Sequence, residues 1–167
     1  MEDKIVNKVA QSVLVTFDLE DLYPNGVRSA IDLSQWLDQG FILREKEFRS
    51  AINTQDWSAY EGHFVALSCN TDAILPAWAS LLVTTRLCQI AKKVVWGSLE
   101  DLENSIFQET IANLDLTPFE GKPVIVKGCS EKHIPENVFV QLIQKLQPVV
   151  KSLFYGEACS SVPLFKR

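Results

Sequence analysis

Three of the four cysteines in this 167-residue chain stand where a thiol could be made reactive. Cys69 ends the run Phe64-Val-Ala-Leu-Ser-Cys69, and Asn70-Thr-Asp-Ala-Ile-Leu-Pro76 follows it. Cys129 ends Pro123-Val-Ile-Val-Lys-Gly-Cys129, and Ser130-Glu-Lys-His-Ile-Pro135 follows it. In both, a β-branched stretch leads to a cysteine, then a polar loop leads to a proline suited to the first position of a helix. A thiol just ahead of a helix feels the positive end of the helix dipole, which favours thiolate, the form that attacks electrophiles and binds metals. Cys159, in the tail after Tyr155-Gly156, is the third member.

Asp72, His133 and Glu157 lie in the same loops and add oxygen or imidazole donors. Three cysteines with one histidine make a closed zinc set, and Cys129 with His133 is a local pair. Three thiolates with Asp72 or an outside ligand could hold an iron–sulfur cluster, although no ferredoxin spacing is present. If the thiols hold a cofactor it is therefore zinc or an iron–sulfur cluster, and if not, none is expected. The competing reading is packing, because cysteine is among the most buried residue types and one histidine near one cysteine is an ordinary loop feature. Cys88, within an apolar helical stretch, reads as core. His63 has no assigned role.

The elements that must position these residues are written twice. Tyr60-Glu-Gly62 precedes the first run and Phe119-Glu-Gly121 the second, and Lys92-Lys-Val-Val-Trp96-Gly97 answers Lys151-Ser-Leu-Phe-Tyr155-Gly156. Phe48 and Phe107 also fall in register. Strands are expected at Ser12 to Phe17, Val27 to Leu33, Phe64 to Cys69, Val94 to Trp96, Pro123 to Cys129 and Val149 to Tyr155. Helices are expected from Arg44 to Asn53, from Pro76 to about Ala91, after the capping-box sequence Ser98-Leu-Glu-Asp101, and from Pro135 until Pro148 stops it. Ser34 reads as a helix N-cap and Gly40 as a stop. The second helix carries Trp78, Leu81, Leu82, Leu87 and Ile90, a surface wide enough for deep burial.

Strands alternating with helices call for βαβ units. The expected fold is α/β: one domain over residues 1–167, three-layered around a mostly parallel sheet, with an internal repeat of βαβ units over about 38–97 and 97–156. Right-handed crossovers then bring Cys69, Cys129 and Cys159 to one carboxyl edge, where open α/β sheets bind ligands.

Composition excludes several classes. A net charge of −5 argues against nonspecific nucleic-acid binding and against an anionic membrane surface. No run reaches the length of a membrane span and no secretory leader is legible, so a cytoplasmic protein is expected. Cys-x-x-Cys, Gly-x-Gly-x-x-Gly and the P-loop are absent, as is an arginine six residues beyond Cys69 or Cys129, which removes dithiol exchange, the main nucleotide fingerprints and phosphatase-type loops. No reaction is legible. The oligomeric state is equally open.

The runs Leu14-Val-Thr-Phe-Asp-Leu-Glu-Asp21, Ile42-Leu-Arg-Glu-Lys46, Asp56-Trp57-Ser58, Lys127-Gly-Cys-Ser130 and Tyr155-Gly-Glu-Ala-Cys-Ser160 resemble the uncharacterised bacterial domain-of-unknown-function family 2480 over nearly the whole chain. The resemblance implies a single soluble domain without an assigned activity, and an accessory role near iron–sulfur assembly. Two functions follow as expectations. One is a thiol- or metal-binding accessory factor using Cys69, Cys129, Cys159, His133 and Asp72 for zinc, a cluster or transferred sulfur. The other is a non-enzymatic scaffold with structural cysteines that binds a protein partner through acidic and aromatic loops, Trp57 and Tyr60 among them, with packing as the alternative for those two aromatics.

Overall fold

The computed structural model describes residues 14–128, 131–157 and 159–167. In chain order the elements are β1 (Val15–Phe17), β2 (Arg28–Asp32), α1 (Glu45–Thr54), β3 (Phe64–Ser68), α2 (Ala77–Leu87), β4 (Lys93–Trp96), α3 (Leu99–Ala112), β5 (Pro123–Val126), α4 (Glu136–Leu146), β6 (Ser152–Glu157) and β7 (Ser160–Lys166). Among the described residues this is a mixed α/β protein with four α-helices and two sheets, mostly parallel. The chain forms two compact units. Pro24–Ile106 is a continuous unit, and the chain through Tyr23 joins Phe107–Arg167 in a split one.

The continuous unit holds the parallel sheet β2-β3-β4. Four of the five residues of β3 are buried, as in a strand covered on both faces. Val65 and Leu67 join Phe48 and Ile52 of α1 and Ala79, Val83 and Leu87 of α2, while Phe64 and Ala66 meet Leu102 and Ile106 of α3. The four-residue spacing on α2 is a narrow stripe, so the helix buries less than its composition suggests. Leu81 is 61 % exposed. The helix ends at Leu87, short of the expected Ala91, and Cys88 at its C-cap is exposed, not core, because it is one position off the stripe.

The split unit holds β1-β5-β6-β7, parallel but for β7. Its core joins Val124, Val126 and Leu153 of the sheet to Phe107 and Ile111 of α3 and to Val138, Leu142 and Leu146 of α4, with Phe139 and Ile143 packed against it. Strand β7 lies in what reads as a tail. Pro163 argues against a strand in the sequence, yet β7 is an edge strand, where a missing N–H is tolerated.

Local chemistry starts and stops the elements. Before α3, Ser98 N–H donates to Asp101 Oδ2 at 2.7 Å while Asp101 N–H donates to Ser98 Oγ at 3.1 Å, the expected capping box. Gly97 makes room for it. A Cβ there would stand 2.5 Å from the Asp101 carboxylate, and its φ of +146° favours glycine. After β2 the cap is Asp32 rather than Ser34: its Oδ1 accepts from Ser34 N–H at 2.9 Å and begins a short 3-10 turn.

Backbone bonds within the continuous unit have counterparts within the split unit at a fixed interval along the chain. Gly62 N–H donates to Ile90 O, and Gly121 N–H to Val149 O. Lys92 N–H donates to His63 O, and Lys151 N–H to Lys122 O. Phe64 pairs with Lys93, and Pro123 with Ser152. Counting equally from Phe64 and Pro123, the position that matches Cys69 is Gly128; Cys129 lies one residue beyond it, outside the described residues. A Cβ on Gly128 would stand 3.0 Å from the Tyr155 ring, which keeps that position small.

Candidate functional site

Strand β2 ends in Asp32 and β1 is followed by Asp18, and each aspartate reaches the loop after the parallel strand paired with its own. In the continuous unit, Asp32 Oδ1 also accepts from Asn70 N–H at 3.1 Å. Burial pushes its carboxyl up, but bonds from Ser34 and Asn70 outweigh burial and hold it below the ordinary 3.8. In the split unit, Asp18 caps the next turn by accepting from Glu20 N–H at 2.9 Å and pairs with Lys127 Nζ at 2.7 Å. The bond and charge of Asp18 raise the Lys127 pKa. Glu20 accepts from the backbone N–H groups of Glu131 and Lys132, and the Lys132 ammonium lies 4.5 Å from the centre of the Tyr23 ring.

The signs of these shifts differ. Asp32, lowered in the fold, contributes stability above its unfolded pKa that is lost as pH falls from about 3.8 through its folded value. Lys127, raised in the fold, contributes stability that is complete below its unfolded value and lost as pH rises through the folded one. We expect Asp32→Asn to flatten the acid limb of a melting-temperature profile between neutral pH and about pH 3, and to leave the alkaline limb unchanged. An acid limb as steep as that of the parent would contradict the role of Asp32.

Of the expected ligand residues, Cys69 and Cys159 follow strands of different sheets. Cys69 follows β3 in the continuous unit, and Cys159 sits in the turn between β6 and β7 of the split unit. The single edge was drawn for a single sheet, and there are two. Cys129 lies outside the described residues. Cys69 is half-buried, its Sγ 3.4 Å from Thr71 Oγ1, which itself donates to Gly40 O at 2.7 Å. With the hydroxyl proton committed to Gly40, Cys69 Sγ is the donor in its contact with Thr71 Oγ1. Asp72, His133 and Cys159 are exposed. Among the described residues no group of three His, Cys, Asp or Glu side chains stands together as a metal set. His133 does line a cavity of about 430 Å³ at the split unit's carboxyl edge, with Lys132, Ile134, Phe139 and Tyr155. Of the loop aromatics, Trp57 is tied down by a 3.0 Å bond from its Nε1 to Ile52 O and packs with Tyr60 against the core.

A pair of surface grooves was not expected. Trp96 is the last paired residue of β4, opposite Leu67, and is 54 % exposed. Beside it is a cavity of about 330 Å³ lined by Leu75, Pro76, Ala77 and Ser80. Tyr155 pairs with Val126 on β6 and lines a cavity of about 300 Å³ with Glu136, Phe139 and Val140. Leu81 and Val140 are both exposed on the helices that follow β3 and β5. A valine-rich strand reads as buried, which hides Trp96. The one sequence signal for it is the match of Trp96-Gly97 to Tyr155-Gly156.

A family model described as "Protein of unknown function (DUF2480)" matches residues 3–167. Neither a search of curated proteins nor a search of solved structures gave a match.

Proposed function

The chain belongs to the DUF2480 family of proteins of unknown function, and from that premise we propose that it is a non-enzymatic protein-binding module, built as two copies of one βαβ pattern that each offer an aromatic-walled groove. The observation that carries this is the placement of Trp96 with Leu81 and of Tyr155 with Val140 at corresponding positions of the two registers, all four exposed. Large apolar side chains in a soluble α/β unit are normally turned inward, and an exposed aromatic beside an apolar cavity is the usual form of a partner's anchor point. The recurring bonds of Gly62 and Gly121, and of Lys92 and Lys151, support common descent of the two copies.

A second reading keeps the thiols. Strand β6 leads to Cys159 and His133 lines the cavity at the carboxyl edge of the split unit, so these two, with Cys129 from outside the described residues, would supply a zinc or cluster set there. Cys69 with Asp72 would be a separate thiol site in the continuous unit.

One comparison tests both. A photo-cross-linker at Trp96 or Tyr155 should trap discrete partners in the native cell, an exposed Gln89 control should not, and anaerobically purified protein should carry no stoichiometric metal. Cross-linking equal to the control would sink the groove reading. Metal lost on Cys159→Ser would install the second.

A further inference from the structure

Ile74 is 96 % exposed, the most exposed large apolar side chain among the described residues. It is the neighbour in sequence of Leu75, which lines the groove with Trp96. Consecutive residues stand about 3.8 Å apart at Cα, so the knob and the hole lie on one small patch. The cavity of about 330 Å³ has room for an isoleucine side chain, and its floor of Ala77 and Ser80 is small. A patch that carries both a knob and a hole is complementary to itself. Turned about a two-fold axis, it satisfies both at once, since in an isologous contact residue i meets j and j meets i.

We infer that the protein forms a two-fold homodimer through its continuous unit, with Ile74 of each copy seated in the Trp96 groove of the other. This rests on the groove reading proposed above and names, for that one groove, a second copy as the partner. A different protein would have to bring its own knob and would leave Ile74 in water. The symmetric pair buries two of each at every contact. The Tyr155 groove has no exposed counterpart of Ile74: the residue at the matching place, His133, is polar.

The test is sedimentation equilibrium of the full chain between about 1 and about 200 µM, at physiological salt. The parent protein should pass from monomer to dimer in that range. Because each dimer buries Ile74 twice, Ile74→Glu should raise the dissociation constant by at least ~100-fold. A side chain so exposed has no part in the core, so circular dichroism and the melting temperature of the monomer should not change. Val140→Glu, in the other groove, should leave dimerisation intact. A parent protein that stays monomeric throughout, an Ile74→Glu variant that associates like the parent, or an equal loss on Val140→Glu would each overturn the homodimer. Cross-linking at Tyr155 is independent of all three, so the dimer can fail while the groove reading stands.

Discussion

Replacing Glu103 by alanine lowers the stability of this protein by about 3–5 kcal/mol, measured by urea unfolding near neutral pH. The Glu103 side chain is 7 % exposed and its Oε1 lies 2.6 Å from Arg28 Nε, itself at 14 %. Arg28 also donates from Nη2 to Glu103 Oε2 at 3.3 Å and from Nη1 to Pro24 O at 2.7 Å and Gly26 O at 2.8 Å, and its guanidinium lies 4.8 Å from the centre of the Phe64 ring. Removing the carboxylate takes the Glu103 counter-charge from a guanidinium that is largely out of water. Desolvation, not the lost attraction, sets the size of the effect. Removing both charges is much milder: Arg28→Met with Glu103→Leu should recover most of the loss. A Glu103→Ala cost below about 1 kcal/mol would show that water reaches the pair and screens it.

Phe48→Ala and Phe107→Ala should each cost about 3–5 kcal/mol, the range for emptying a closed aromatic site. Both side chains are fully buried. Phe48 meets Trp36 and Trp78 edge-on with centroids 6.1 and 5.8 Å apart, and Phe107 meets Tyr23 at 5.9 Å. The two lie in different cores, so their leucine replacements should both be tolerated better than alanine, and independently. Urea unfolding of the four variants checks this. An alanine variant within about 1 kcal/mol of the parent would mean that its core closes over the gap.

Legibility followed the range of the interactions. The Ser98–Asp101 capping box depends on neighbours within one turn, and it stands as read. The cap on the turn after β2 was assigned to Ser34, since serine is a common N-cap. Asp32 takes it because the same carboxylate also reaches Asn70, 38 residues on. Leu81 was misjudged, and Trp96 passed over, for a related reason. Hydrophobicity says which residues could be buried, but only the position of β4 at a sheet edge and the narrow stripe on α2 decide that these two are not. The register is set by backbone pairing, and the Tyr155 ring that keeps Gly128 small comes from another strand.

The division of the split unit bears on how the protein is made. Its first strand, β1, leaves the ribosome before any residue of the continuous unit, yet Val15 pairs with Val124, Thr16 with Ile125 and Phe17 with Val126. Pro24–Ile106 carries its own sheet and core within one uninterrupted stretch, so it can collapse while β5 is still unsynthesised. During that interval β1 has no strand to join, and closing the contact later means bringing together segments separated by the whole continuous unit. The strand made first is thus among the last to be paired, and the nascent chain carries it as an unmatched edge until β5 emerges.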